Sequence, residues 1–387
     1  MNKDFFTKQI YFKLFLACAI SFTLFGSAIT AQEFKTVKPG VEHLRVDRKQ
    51  GADVWVINLL RIDLEKADIQ VVRAMDEAVG LETTSSLIKR YGAVAAINGG
   101  YFRTTGTYRG DSAGVLQVDH KILSEPYGNR AAIGFIRRKG DQTEVVFGHL
   151  SFVGFVETNQ KEERALDGIN TLRTENQLIL YTPEFHHTTL TDTSGLEVIV
   201  KRGRVVELRD KKGSARIPDD GFVLSAIGAA REWALKNLRV GTKVSIRTQL
   251  VPIEKENIFK WQMAEDIVGG GPQLIRDGKV EITFEREKMK EDFSTTRHPR
   301  TAIAKLKDGR LLLVTVDGRQ PGYSVGMSLN ELAQLLLEFG AVEAINLDGG
   351  GSTTMVVEDK IVNKPSDQTG ERPVSDALLV FQRQAKD

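Results

Sequence analysis

Two short segments constrain this chain more than any other feature. Residues 91–98 (YGAVAAIN) and 339–346 (FGAVEAIN) share six identities in eight, and each runs into glycines a few residues on. Runs this apolar, this short and bounded by glycine suit strands covered on both faces. A helical pattern precedes each one. The first spans 81–90 and opens on Thr83, Thr84 and Ser85; the second spans 329–339, with Ser328 and Glu331 three apart as a capping box requires. If both runs are central strands, Asn98 and Asn346 stand at their carboxyl ends. That is the edge where open α/β sheets gather ligands, so the two glycine loops would frame one site.

Alternating apolar and polar residues at 53–58 and 67–75 read as half-buried strands, and 301–306 and 311–316 as a consecutive strand pair. Between 114 and 250 the pattern is of short runs punctuated by Gly, Asn and Asp, with one helix at 229–237, which reads as largely antiparallel sheet. The expected fold is therefore α+β. It is a single large domain on a mixed, mostly antiparallel β-sheet with flanking helices and two similar helix–strand–Gly-loop halves. Residues 32–44 are expected to be an N-terminal linker and 45–385 the domain.

Residues 1–31 read as an export signal: Lys3, Lys8 and Lys13 precede an uncharged apolar run, 14–31, that ends in small residues. The expected location is secreted or periplasmic, with membrane contact only through an uncleaved signal. Once Lys3, Lys8, Lys13 and Asp4 are gone, the chain carries 50 basic and 50 acidic residues. That balance gives no support to a nucleic-acid partner, which needs a basic excess on one face. The one cysteine, Cys18, lies in the signal, so neither a disulfide nor a thiolate metal site is expected.

Several motifs could carry chemistry. The run 348–354 (DGGGSTT) follows the second apolar strand, and its glycines allow close backbone approach to an anion, but Gly351 stands where a nucleotide loop would need lysine. The run 268–272 (VGGGP) reads alone as a turn. Arg297, His298, Arg300 and Thr301 open one strand of the consecutive pair, and Asp317 and Arg319 end the other, so antiparallel pairing brings them to one edge. Guanidinium forks suit phosphate oxygens there, although arginines beside aspartates are ordinarily surface ion pairs. The run 322–326 (GYSVG) has the spacing of a serine-hydrolase elbow. It lacks the strand–turn–helix context, and no histidine follows His298 in the chain. The six histidines have no metal-protease spacing. No cofactor is called for, and a carboxylate-held divalent cation stays open.

Taken in order, 98–102 (NGGYF), 269–272 (GGGP), 297–301 (RHPRT), 317–319 (DGR) and 348–353 (DGGGST) resemble the phosphodiester glycosidase family, over roughly 45–385. Its known members cut a sugar from a phosphate joined to the anomeric carbon. The chain is nearer to exported bacterial members than to the membrane-anchored, cysteine-rich animal ones. The resemblance implies a hydrolase that cleaves the glycosidic C–O bond of a sugar-1-phosphodiester in an envelope or extracellular glycan. The phosphorylated carbohydrate would be its partner. Ordinary glycosidases need two carboxyl groups. A phosphate monoester leaves as an anion, so one carboxylate suffices if cations hold that charge.

The implied roles follow. Asp348 is nucleophile or base, and Arg300 and Arg319 take the phosphate, with Arg297, Thr301 and the amides of Gly349, Gly350, Gly351, Ser352 and Thr353 beside them. His298 hydrogen-bonds the phosphate. Asn98 binds a sugar hydroxyl, and Gly99, Gly100, Gly270, Gly271 and Asn346 line the substrate. Asp317 is a second catalytic candidate, the orienter of Arg319, or a turn residue of purely structural use. Two rival readings share these residues: a non-catalytic exported binder of phosphorylated glycan, and a phosphodiesterase cutting the P–O bond.

Overall fold

Leu311–Val316 is buried along its whole length, because its two faces meet two different cores. Leu311 and Leu313 pack into one apolar cluster, and Leu312, Val314 and Val316 into another. Strict alternation of side chains along a strand accounts for both, and explains why the sequence there is apolar at every position but Thr315. The computed structural model describes residues 33–137 and 143–383. The expected signal, 1–31, lies outside them. Glu33–Asp387 is one compact unit.

The Leu311–Val316 strand sits inside an eight-stranded antiparallel sheet. In order across the sheet the strands are Lys35–Lys38, Val41–Gln50, Asp53–Ile62, Leu311–Val316, Arg300–Leu306, Ala341–Asn346, Gln273–Arg276 and Lys279–Val280. A second sheet has five strands: Lys360–Ile361, Met355–Val357, Ala95–Asn98, Asp376–Gln382 and Ala67–Arg73. Leu60, Ile62, Ile303, Leu313 and Ile345 from the first share a core with Ile69, Val71, Ala95, Ile97, Leu378 and Val380 from the second. Each sheet carries a helix on its other face. Leu329–Glu338 lays Leu329, Leu332, Ala333, Leu335 and Leu336 against the eight-stranded sheet, and Thr84–Tyr91 lays Leu87 and Ile88 against Ala96, Ala377 and Leu379. The result is helix, sheet, sheet, helix.

The sequence led us to expect one mixed sheet; the described residues form four. The two similar segments are interior strands of different sheets, Ala95–Asn98 in one and Ala341–Asn346 in the other. Each needs cover on both faces, and a helix on one side with the opposing sheet on the other supplies it. The region 114–250 is antiparallel except where Gly168–Ile169 runs parallel to Leu178–Tyr181. Its long strand Glu144–Thr158 pairs with Ala131–Ile136 at one end and with Val244–Pro252 at the other. A further five-stranded sheet, with helix Ala229–Asn237 packed on it, completes this part. The expected linker 32–44 is also corrected. Lys35–Lys38 is the edge strand of the main sheet and Val41–Gln50 the strand next to it, with Val41 and Leu44 pointing into its two cores.

Helix ends follow the sequence closely. Thr83 caps Thr84–Tyr91 by accepting from Ser86 N, and left-handed Gly92 closes it. Ser328 and Glu331 form the expected capping box on Leu329–Glu338. Glu331 also takes Arg297 through Nε and Nη2, so the cap is tied to the segment leading into the Arg300–Leu306 strand. Replacing Ser328 with alanine should cost ~1 kcal/mol of stability. The urea midpoint should fall with an unchanged slope.

Candidate functional site

All five motifs meet at one edge of the two-sheet sandwich, and glycines are what let them meet. A Cβ on Gly99 would collide with Asp376 Oδ1, and one on Gly270 with the carbonyl of Asn346. On Gly349 it would stand 2.7 Å from Pro299 O, on Gly318 2.7 Å from Pro299 N, and on Gly350 3.0 Å from Arg319 Nη1. Gly350 also has a φ of +62°, which an L side chain tolerates poorly. Real Cβ atoms essentially never approach within 3.0 Å, so glycine is what lets these loops pack so closely.

Two asparagines at the strand ends lock this packing. Asn98, fully buried, accepts from Thr301 Oγ1 (2.8 Å) and Thr354 N (3.1 Å) and donates to Asp348 O (2.7 Å). Asn346 donates to Tyr101 Oη (2.8 Å), Gly271 O (3.0 Å) and Leu347 O (2.6 Å). The two similar strands thus reach across from separate sheets to the same junction. Asn98 and Thr301 are braces of the loops, because their polar atoms are spent on protein partners; the same holds for the Asn346 amide nitrogen. That corrects the expected sugar contact for Asn98.

Asp348 is the carboxylate on which the junction closes. Protein surrounds it, yet it keeps partial access to solvent. Desolvation raises its pKa to about 6, and the negative charge of Asp376 adds to that rise. The Ser352 hydroxyl, Arg372 and the Gly349 amide oppose it. Asp376 is itself buried, accepting from Gly100 N (2.7 Å) and Ser375 Oγ (2.6 Å). Arg372 forks onto Asp367 at 2.7 and 2.9 Å beside Gly351. Tyr101 is half-buried, donates to Gly271 O (2.8 Å), and is held un-ionised by desolvation and the charge of Asp348.

The four cationic or imidazole groups of the arginine motifs separate into different roles. Arg297 is neutralised by Glu331 (2.5 Å) and Asp53 (2.7 Å), so it supports the helix cap and not a ligand. Arg300 is 1% exposed and donates to three carbonyls: Met327 (2.8 Å), Phe293 (2.7 Å) and Thr296 (2.9 Å). Burial lowers its pKa to about 10. It holds the 293–300 segment, and only Nη1 is left without a protein acceptor among the described residues. Arg319, by contrast, is exposed, has no carboxylate partner among the described residues, and lies flat against Gly350. Its Nη2 is 3.2 Å from His298 Nδ1. Desolvation, Arg300 and Arg319 all lower the pKa of His298 and keep the ring neutral, so Nδ1 accepts from the guanidinium and Nε2 carries the proton.

Two further expectations are corrected. Asp317 is buried and accepts from Asn363 Nδ2 (3.0 Å), Lys364 N (3.0 Å) and Tyr323 Oη (3.2 Å). None of its bonds reaches Arg319, so it anchors the 363–364 turn, the structural alternative for this residue. The amides of the glycine loop are also largely committed. Gly350 N donates to Pro299 O, Ser352 N to Gly349 O, Thr353 N to Gly350 O, and Gly349 N to the Asp348 carboxylate. Asp376, Arg372 and Tyr101 are site residues that sequence reasoning passed over. Tyr101 stood inside a quoted motif; Asp376 and Arg372 are separated from all five. Among the described residues no group of three or more His, Cys, Asp or Glu side chains is placed to hold a metal ion.

The arrangement sets an exposed guanidinium on the same loop as a carboxyl group whose pKa is raised to about 6. Residues 194–381 match the phosphodiester glycosidase family, and that stretch belongs to it. The match takes in four of the five motifs and leaves 98–102 outside. Among similar proteins, an uncharacterised prophage-derived protein of Bacillus subtilis is 43% identical over 84 residues, covering 22% of this chain and 13% of its own. The N-acetylglucosamine-1-phosphodiester alpha-N-acetylglucosaminidase of Bos taurus is 37% identical over 110 residues, covering 26% of this chain and 20% of its own. The chain thus spans a fifth or less of these two relatives. A hypothetical protein from Synechocystis shares the fold with a TM-score of 0.76 at 24% identity, over 89% of this chain and 62% of that one. A protein of Burkholderia pseudomallei described as a candidate for export has a TM-score of 0.73 at 25% identity, over 85% and 74%. No helix among the described residues is long and apolar enough to cross a membrane.

Because the folded pKa of Asp348 lies above the ordinary carboxylate value, ionising it costs stability as pH rises through about 6. A carbon-detected NMR titration of this carboxyl should show a midpoint near pH 6. Asp376→Asn should move that midpoint down, since it removes a neighbouring negative charge.

Proposed function

We propose that the protein is an exported hydrolase that cleaves the glycosidic C–O bond of a sugar-1-phosphodiester in an envelope or extracellular glycan, releasing the sugar and a phosphomonoester. One observation carries the reading. An unpaired guanidinium, Arg319, is coupled to a neutral His298 and seated on the same glycine loop that presents Asp348. The other nearby carboxylates, Asp317, Asp367 and Asp376, are occupied by protein donors.

The chemistry follows from that asymmetry. Arg319 and the Nε2–H of His298 hold two non-bridging phosphate oxygens, and Arg300, buried behind them, adds positive potential through Nη1. Asp348 supplies the electron pair to the anomeric carbon, directly or through a water that it deprotonates. The bond from that carbon to the phosphate oxygen breaks, and its electron pair leaves with the phosphomonoester. No acid is needed at the leaving oxygen, because the cations have already lowered its basicity. A base with a pKa of about 6 is ionised at neutral pH yet still takes up a proton. The match to the phosphodiester glycosidase family supports the same reaction class.

Hydrolysis of a panel of sugar-1-phosphodiesters by the purified chain should release free sugar, with solvent oxygen-18 entering the sugar. Asp348→Asn should lower kcat by roughly a thousandfold and Arg319→Ala by about a hundredfold. Label in the phosphate would instead establish P–O cleavage, and tight binding without turnover by folded protein would establish a glycan binder. The kcat/KM profile should also rise with pH and level off above about 6, as Asp348 loses its proton.

A further inference from the structure

Arg319 is not the only guanidinium at this edge without a counter-ion. Arg130 lies between two tyrosine rings, its Cζ 5.2 Å from the centroid of Tyr101 and 5.0 Å from that of Tyr127. It has no carboxylate partner among the described residues, and its Nε is buried without a hydrogen-bond partner there. Glu287, which bonds the amide of the residue after Arg130, is fully buried. It accepts from Ala131 N (3.1 Å), Gln273 N (2.8 Å), His149 Nε2 (3.1 Å) and Thr283 Oγ1, so its oxygens are occupied.

Tyr101 joins this group to the site. Its hydroxyl is bonded to Gly271 O and Asn346, its ring carries Arg130, and both Asp348 and Arg130 act on it electrostatically. Phe293, under the Arg300 guanidinium, meets the same ring edge-on at 6.3 Å. Contacts thus run in succession from Arg300 through Phe293, Tyr101 and Arg130 to Tyr127, and Tyr101 in the middle of the series feels the charge of Asp348. Tyr127, at its far end, is 61% exposed and offers an aromatic face. Sugar C–H faces pack on such rings, while a planar guanidinium beside the ring suits an acidic substituent.

We propose that Arg130, held between Tyr101 and Tyr127, is a second anion subsite that selects a sugar carrying its own acidic group. The inference rests on the phosphodiester reading above, with the scissile phosphate on Arg319 and His298. An acidic sugar then engages both Arg319 and Arg130, neither of which has a carboxylate partner among the described residues, and the substrate class becomes a glycosyl phosphate whose sugar is itself anionic. Carboxylate and phosphate substituents share the chemistry that Arg130 recognises.

The test is calorimetric binding by the whole protein of three sugar phosphates: glucose 1-phosphate, glucuronic acid 1-phosphate and glucose 1,6-bisphosphate. The wild type should bind at least one of the two doubly acidic compounds about tenfold more tightly than glucose 1-phosphate, and which one distinguishes carboxylate from phosphate. Arg130→Gln should erase that preference without weakening glucose 1-phosphate. Tyr127→Ala, at an exposed position that does not threaten folding, should weaken all three. Equal wild-type affinities would overturn the proposal, as would an equal loss for all three ligands in Arg130→Gln. Arg319→Ala separates the two readings. If it leaves binding of the preferred ligand intact while Arg130→Gln abolishes it, the phosphate assignment fails and the acidic subsite stands.

Discussion

The site depends on loops that approach one another more closely than a methyl group allows. Gly99 rests on Asp376, Gly270 on the Asn346 carbonyl, Gly349 on Pro299 and Gly350 on the Arg319 guanidinium. Each contact joins segments far apart in the chain, and together they form a junction in which glycine backbone meets both backbone and polar side-chain atoms. Backbone groups that come so close must satisfy each other, which is why Asn98 and Asn346 spend their amides within the junction. The glycines that look like ligand-binding loops in the sequence serve first to let the protein bind itself.

Given that junction, electrostatics decides which polar groups remain for a ligand. Arg297, Arg372 and Asp317 are paired inside the structure, and Arg300 is consumed by three carbonyls. A guanidinium used this way is rigid and keeps its charge, so it sets the potential of the cleft. Among the described residues Arg319 and Arg130 have no carboxylate partner, and desolvation brings the Asp348 carboxyl near the middle of the pH range. The division between structural and available charge is sharp at neighbouring positions. Arg297 and Arg300 are three residues apart, and His298 between them faces Arg319.

Much of the site was legible because motif order survives as spatial proximity. All five motifs came together, with Asp348 on the glycine loop that Arg319 lies against and Arg319 3.2 Å from His298. Asn98, Arg297 and Asp317 were legible only as candidates. Whether an asparagine holds a sugar or a neighbouring loop depends on which oxygen folds next to it, and nothing in its local sequence encodes that. Asp376 and Arg130 carried no local signal at all, since one opens an ordinary apolar strand and the other sits in a polar turn.

The sequence by itself determined the elements. Apolar runs set the strands, Ser328 and Thr83 set helix starts, and the glycines marked the chain positions that must pack without Cβ atoms. Those are local properties, written in side-chain period, capping chemistry and allowed backbone angles. Only tertiary structure decided that the two similar strands belong to different sheets of a sandwich, and that residues 35–44 join the main sheet. It alone also paired Arg297 with carboxylates while giving Arg319 and Arg130 none among the described residues. Sheet partners and ion pairs form between residues distant in the chain, and burial, which sets the pKa of Asp348, is a property of everything that surrounds a group and not of the group itself.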